Sequence, residues 1–171
     1  MLDITASIVA YKNEAEILKK TIYCLLNTGM NIKICLVDNS PSDEMRNICQ
    51  DKRIEYIFNP KNLGFGAGHN IAIRKALAES KYHLVINPDI FFAAGALEKL
   101  YSFMEENNNV GLVMPRVLSE DGSDQHLCKL LPTPFNLILR RFNFIFYRFF
   151  KKKQQTYEFR FANYREQMDV P

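Results

Sequence analysis

Tyr82-His83-Leu84-Val85-Ile86-Asn87-Pro88-Asp89 decides the fold, because five residues of a buried strand run directly into a turn that ends on a carboxylate. Asn, Pro and Asp all favour turns, so the strand stops there. In open α/β sheets ligands collect outside the carboxyl ends of the strands. A carboxylate at that edge suits a hard cation such as Mg²⁺ or Mn²⁺, which in turn grips nucleotide phosphates. Asp89 is therefore the first candidate functional residue, and a plain turn is the alternative to it.

Upstream the same unit repeats. Residues 4–10 read as a buried strand, and residues 14–27 place Ile17, Leu18, Thr21, Ile22, Leu25 and Leu26 on one face of a helix that Gly29 closes. Residues 32–37 form a second strand ending at Asp38-Asn39-Ser40-Pro41. Ser40 or Ser42 then caps a short helix reaching about residue 51. A third strand covers residues 54–58. Asn62-Leu63-Gly64-Phe65-Gly66-Ala67-Gly68 follows as a glycine-rich loop, and a helix is predicted over residues 69–80. Past Asp89, Leu97, Leu100, Tyr101 and Met104 give another helix its apolar stripe. Residues 111–114 read as a fifth strand, stopped by Pro115. Strands alternating with helices predict an α/β fold, a mostly parallel sheet with helices on both faces.

Composition agrees with a globular domain. The 171 residues are 47% hydrophobic and 24% charged, enough for one sizeable core. No run of about 18 apolar residues occurs, and Met1-Leu2-Asp3-Ile4 lacks the pattern of a signal peptide. The expected location is cytoplasmic. Cys24, Cys35, Cys49 and Cys128 have no paired metal spacing and are expected to be reduced thiols. The net charge of +3 is unevenly spread, since residues 140–165 hold eight Lys/Arg against one Glu.

Two nucleotide-binding classes are excluded. The first strand-to-helix turn is Ala10-Tyr11-Lys12-Asn13-Glu14-Ala15, without the glycines of a dinucleotide fingerprint. Gly68 is followed by His69-Asn70 and not by the Lys-Ser/Thr of a phosphate loop. His83 and His126 have no partner at ligand spacing. His69, inside the glycine segment, is either a phosphate contact or a helix-start residue without a direct role.

Taken in order, Ser7-Ile8-Val9-Ala10-Tyr11-Lys12-Asn13-Glu14, Leu36-Val37-Asp38-Asn39-Ser40-Pro41-Ser42-Asp43, Asn62-Leu63-Gly64-Phe65-Gly66-Ala67-Gly68-His69-Asn70 and Val85-Ile86-Asn87-Pro88-Asp89 resemble the family 2 glycosyltransferases. The likeness continues through Gly95-Ala96-Leu97-Glu98, Val110-Gly111-Leu112-Val113-Met114-Pro115-Arg116 and Asp121-Gly122-Ser123, and it is strongest to the bacterial rhamnosyltransferase branch. The resemblance implies the GT-A fold, a nucleotide-diphosphate-sugar donor such as dTDP-rhamnose or a UDP-sugar, and transfer with inversion to a saccharide or polyprenyl-linked acceptor. It places Ala10, Tyr11, Asn13 and Glu14 along the nucleotide pocket and Asp38 at the base or ribose. It lays Gly64, Gly68 and Asn70 against the donor, with Asn87 beside them. Asp89 would bind the divalent metal bridging the diphosphate.

The sequence departs from the family in two ways. The usual Asp-x-Asp motif is here Asn87-Pro88-Asp89, one amide and one carboxylate. In related enzymes an acceptor pocket and an acidic Glu-Asp pair, one member of which is the general base, lie in a half that this sequence does not reach. The expectation is a chain truncated before that half, binding donor weakly and transferring sugar poorly, with its catalytic base unassigned. A non-catalytic nucleotide-sugar-binding or membrane-associated module is the alternative reading.

The sequence suggests a domain boundary near Pro132-Thr133-Pro134, dividing a core of residues 1–134 from a tail of residues 135–171. Between residues 135 and 161 aromatic and basic residues interleave, among them Arg140, Arg141, Phe142, Phe144, Arg148, Phe149 and Lys151. Such a segment suits peripheral contact with an anionic membrane surface, or packing against a further half of the protein. No recognition-module signature accompanies it, so nucleic acid is not an expected partner.

Overall fold

The computed structural model describes residues 2–130, 133–134, 155–158 and 166. The chain divides into two compact units, Met1–Gly111 and Leu112–Pro171, and each is described by itself.

In the first unit β1 (Leu2–Ala10), α1 (Ala15–Leu26), β2 (Ile32–Asp38), a 3-10 helix (Glu44–Ile48), β3 (Ile54–Phe58), α2 (Phe65–Ala76), β4 (Ser80–Ile86) and α3 (Ala96–Glu106) follow in order. All strand pairs are parallel, in the order β3-β2-β1-β4. Residues 4–10 of β1 are all buried, as a central strand covered on both faces requires.

Register sorts the side chains, because successive residues of a strand point to opposite faces. Ile4 pairs with Ile32, Ala6 with Ile34 and Ile8 with Leu36. These residues share one apolar core with Leu18, Ile22 and Leu25 of α1 and Leu97 of α3. Each fully buried Leu or Ile there contributes about 1.5–3 kcal/mol of burial free energy. On the opposite face Val9, Cys35 and Val37 meet Ala72 of α2 in a smaller cluster. Gly68 of α2 allows the closest approach, since a Cβ at that position would lie 2.8 Å from both Cγ atoms of Val9.

Four local expectations are corrected. The glycine segment is not a loop before a helix at residue 69, because α2 begins at Phe65 and takes in Gly66 and Gly68, with Gly64 as its N-cap at φ +80. Hydrogen bonding and the Val9 contact override the weak helix propensity of glycine. The helix expected after Ser40 or Ser42 is a 3-10 turn whose N-cap is Asp43, without a side-chain capping bond. Ser40 is used elsewhere, accepting the Lys12 N–H at 2.9 Å. Residues 111–114 are not a fifth strand; the chain there makes no ladder, and Leu112 and Met114 are exposed. An apolar run has β propensity, but without a neighbouring strand it forms no ladder. Fourth, β4 begins at Ser80, where the sequence suggested the end of the preceding helix.

In the second unit Leu118 and Asp124 form an antiparallel bridge around a tight turn, with Gly122 at φ +79 and the Gly122 N–H donated to Ser119 O at 2.9 Å. Arg116 pairs with Asp124. The basic and aromatic segment expected over residues 135–161 lies outside the described residues except for 155–158, and so does one side of the boundary expected at residue 134. Among the described residues no helix is long and apolar enough to cross a membrane, and the four cysteines are free thiols. Burial pushes the Cys35 and Cys49 thiols up to about 11, so they are protonated at neutral pH.

Candidate functional site

Because all four strands are parallel, their carboxyl ends open on one edge of the sheet. Adjacent strands bring the β1–α1 loop, the Asp38-Asn39-Ser40 turn, the segment before α2 and the Asn87-Pro88-Asp89 turn into one row. Every site residue expected from the sequence stands on this edge or in the first two turns of α2.

Asp38 is fully buried. Its Oδ1 accepts the Ser40 N–H at 2.9 Å and its Oδ2 accepts the Tyr56 hydroxyl at 2.7 Å. Hydrogen bonds to a carboxylate are stronger than neutral ones, and these two tie Asp38 to its own turn and to β3. The Tyr56 hydroxyl titrates above its ordinary range, through burial first and then its bond to Asp38. Arg46 lies over the Tyr56 ring, 4.8 Å from its centre.

Asn39, next along, is equally buried. Its N–H donates to Ala10 O at 2.8 Å, its Oδ1 accepts from Asn59 Nδ2 at 2.9 Å, and its Nδ2 donates to Gly64 O at 3.4 Å. Asn59 also returns its own N–H to Asp38 O at 2.8 Å. One side chain thus touches both ends of the connection from β3 to α2, Asn59 and Gly64.

Ala10 is buried, and its carbonyl is taken by Asn39. Tyr11 is 44% exposed, Glu14 is exposed and Asn13 half-buried. Asn13 closes the turn by accepting the Tyr11 N–H on Oδ1 at 2.8 Å. Between them Lys12 is left-handed at φ 54, with its Nζ 5.4 Å from the Tyr11 ring centre. A non-glycine residue held there costs on the order of 1–2 kcal/mol.

Asn70 is exposed on α2. The N-terminal turn of that helix has no acidic residue and no side-chain cap, so its free N–H groups and the positive end of its dipole face outward. Asn87 and Asp89 are exposed. Their turn is fixed from below by Thr21 of α1, whose hydroxyl donates to Pro88 O at 2.8 Å. Among the described residues no three metal-ligating side chains converge. One carboxylate and one amide oxygen fit a hard cation whose other positions are filled by phosphate and water.

His69 does not reach the edge. It is buried beneath α2, with Nδ1 2.7 Å from Ser7 Oγ. Ser7 Oγ also lies 2.8 Å from His83 Nε2, and His83 Nδ1 lies 2.8 Å from Thr5 Oγ1. His69 Nε2 is buried with no partner among the described residues. The tautomer assigned here is the one that leaves a bare lone pair at that atom, with Nδ1–H donating to Ser7. Burial, and then the neighbouring His83, pull His69 down to about 4. Burial lowers His83 as well.

Sequence reasoning did not find Asn39, Tyr56, Asn59 or the anchoring role of Thr21. Thr21 on an apolar helix face was the one signal available, since a hydroxyl buried there needs an acceptor.

Residues 7–168 match the family described as Glycosyl transferase family 2. The chain is 34% identical over 122 residues to a low-salt glycan biosynthesis hexosyltransferase of Haloferax volcanii, covering 70% of this chain and 38% of that protein. It is 32% identical over 105 residues to an uncharacterised glycosyltransferase of Haemophilus influenzae, covering 58% and 41%. An uncharacterised glycosyltransferase of Methanocaldococcus jannaschii is 26% identical over 139 residues, covering 77% and 47%. The chain spans less than half the length of these relatives. The crystal structure of Staphylococcus aureus TarS superposes with a TM-score of 0.54 at 17% identity, over 70% of this chain and 24% of that one, a likeness of fold to the GT-A arrangement. With the family match running across nearly all of the sequence, the chain belongs to glycosyl transferase family 2.

Proposed function

We propose that the protein transfers a hexose, with inversion at the anomeric carbon, from a nucleoside-diphosphate sugar held at the carboxyl edge of the sheet to a saccharide or polyprenyl-linked acceptor. The observation that carries this reading is the convergence on one edge of a buried, doubly bonded Asp38, an uncapped α2 amino end and the exposed Asn87 and Asp89. Tyr11 offers a ring for a base, and the Asp38 turn offers polar backbone to base or ribose. The exposed residues of that segment, Gly64 to Ala67 and Asn70, lie against the sugar diphosphate. Asp89, helped by Asn87, would hold Mg²⁺ or Mn²⁺, and the ion when bound would supply positive charge beside the diphosphate.

In the reaction the acceptor oxygen bonds to the anomeric carbon as the bond from that carbon to the diphosphate oxygen breaks. The acceptor proton passes to a base, which none of the residues named above supplies. A positioned base typically contributes about 10² to 10⁴ in rate. Rhamnose from dTDP-rhamnose is the donor favoured by the sequence resemblance, and the relatedness to a hexosyltransferase supports the broader class. Membrane contact through the basic and aromatic residues 135–161 is part of the same proposal, since it would bring the protein to the surface where a lipid-linked acceptor resides.

Calorimetric titration with dTDP-rhamnose, dTDP and UDP, with and without Mn²⁺, tests the reading. Binding that needs Mn²⁺ and is lost in Asp89→Ala is the expected result. A folded chain that binds none of the three overturns it.

A further inference from the structure

We propose that Asn39 is a positioning residue whose side-chain amide sets the amino end of α2 against the sheet edge, so that the donor site is built before ligand arrives. This rests on the donor-site reading above and adds to it a residue that touches no ligand.

The geometry is specific. An amide has a donor end and an acceptor end, and Asn39 spends them on the two ends of the connection between β3 and α2: Nδ2 on Gly64 O at 3.4 Å, Oδ1 on Asn59 at 2.9 Å. Gly64 O is also the acceptor for the Gly68 N–H at 3.1 Å, so the amide grips the first hydrogen-bonded turn of α2. Gly64 is oriented from its other side, its N–H donated to Asn62 Oδ1 at 2.9 Å. Asn59 is itself held, donating to Lys61 O at 2.6 Å as well as to Asn39. A Cβ at Gly68 would meet Val9 at 2.8 Å, so helix and strand fit there with no spare room, and Asn39 Nδ2 would be in ordinary contact with it at 3.4 Å. The backbone N–H of Asn39 then ties the assembly to Ala10, where the Tyr11 turn begins.

Packing alone does not require this residue. Val9, Val37 and Ala72 already hold the middle of α2 to the sheet, and an apolar residue at position 39 would extend that contact. A buried amide stabilises only when both ends are satisfied, and it then specifies one arrangement of the groups it joins. The segments joined here carry Ala10 and Tyr11, Asp38, and Gly64 and Asn70, candidate donor residues at or beyond the carboxyl ends of three of the four strands.

The test compares the full chain with Asn39→Asp and Asn39→Ala by two readouts, titration with dTDP and UDP in the presence of Mn²⁺, and amide hydrogen exchange. Asn39→Asp keeps the acceptor for Asn59 and removes the donor to Gly64 O. Both variants are expected to bind nucleotide at least tenfold more weakly while remaining folded. The Gly68 amide is expected to exchange at least tenfold faster, with the β1 and β2 amides unchanged. Wild-type exchange at Gly68, or wild-type affinity in both folded variants, overturns the proposal. If the unaltered chain binds neither nucleotide, the donor-site reading fails while exchange at Gly68 still decides the positioning role. If neither Asn39 variant folds, Asn59→Ala replaces them: faster exchange at Gly68 supports the proposal, and unchanged exchange overturns it.

Discussion

The two faces of the sheet are held by different physics. Against α1 and α3 the fully buried contact is mainly aliphatic, Ile4, Ala6, Ile8, Ile34 and Leu36 packing on Leu18, Ile22, Leu25 and Leu97, with Tyr56, Tyr82 and Phe92 partly buried around it. Against α2 the character changes from one end of the strands to the other. Lys33, Glu55, Lys75 and Glu79 form ion pairs at the amino end. Thr5, His83, Ser7 and His69 then make a buried polar chain, Val9, Val37 and Ala72 an apolar patch, and Asn39 the rim of the candidate site. Burial is roughly proportional to area and has no direction, whereas hydrogen bonds fix distance and angle. The aliphatic face therefore supplies stability, and the mixed face sets the placement of the helix that carries Gly64, Gly68 and Asn70.

The sharpest way to break this contrast is to damage each face in turn. Leu36→Ala, on the aliphatic face, is expected to cost about 2–5 kcal/mol. Urea denaturation followed by far-UV circular dichroism measures it, and a loss under 1 kcal/mol would mean that this face is not the main source of stability. The polar chain should respond to acid. His69 is held near 4 when folded against an ordinary 6.5, so the unfolded chain binds more protons between those values. Stability should fall as pH drops from about 6.5 to 4, by on the order of 2–3 kcal/mol from this group, and be regained above 6.5. Melting curves across that range for the wild type and His69→Gln measure the difference, which should be smaller in the variant.

Ser7→Ala leaves two imidazole nitrogens facing a methyl group and is expected to cost about 1–3 kcal/mol. A cost near that of an ordinary surface change would show that the chain is not stabilising. Gly68→Ala gains up to about 1 kcal/mol in helix propensity but drives a methyl into Val9, at a cost of about 1–3 kcal/mol. The net expected effect is a loss of roughly 1 kcal/mol with weakened nucleotide binding, both read by titration and melting. Smallest is Glu79→Gln, which removes one partner of a part-exposed ion pair with Lys33 at 2.9 Å. Its expected effect is under about 1 kcal/mol and should vanish in high salt.

Much of this architecture was legible beforehand. Four strands, the apolar faces of α1 and α3 and the row of turns at one edge follow from period-2 and period-3.6 patterns, since those patterns record which side chains must leave water. What was not legible came from contacts distant in sequence. Gly66 and Gly68 read as loop because glycine disfavours helix, yet at position 68 anything larger than glycine would be driven into Val9. Residues 111–114 look like a strand, and among the described residues they pair with no neighbouring strand. His69 could be placed near the glycine segment but not turned inward until Ser7, 62 residues away, was seen to meet it.

The sequence by itself determined a parallel α/β chain with Asp38 and Asp89 at or just past strand ends, because periodicity and turn chemistry are local, while its ordered motif blocks carried the resemblance to family 2 glycosyltransferases. Only the tertiary structure decided that Asp38 is buried and bonded to Ser40 and Tyr56, that Thr21 anchors the Asn-Pro-Asp turn, and that Asn39 grips α2. A buried polar atom takes whichever partner the packed chain brings within about 3 Å, and that choice is made by strand order and helix placement, which no local pattern encodes.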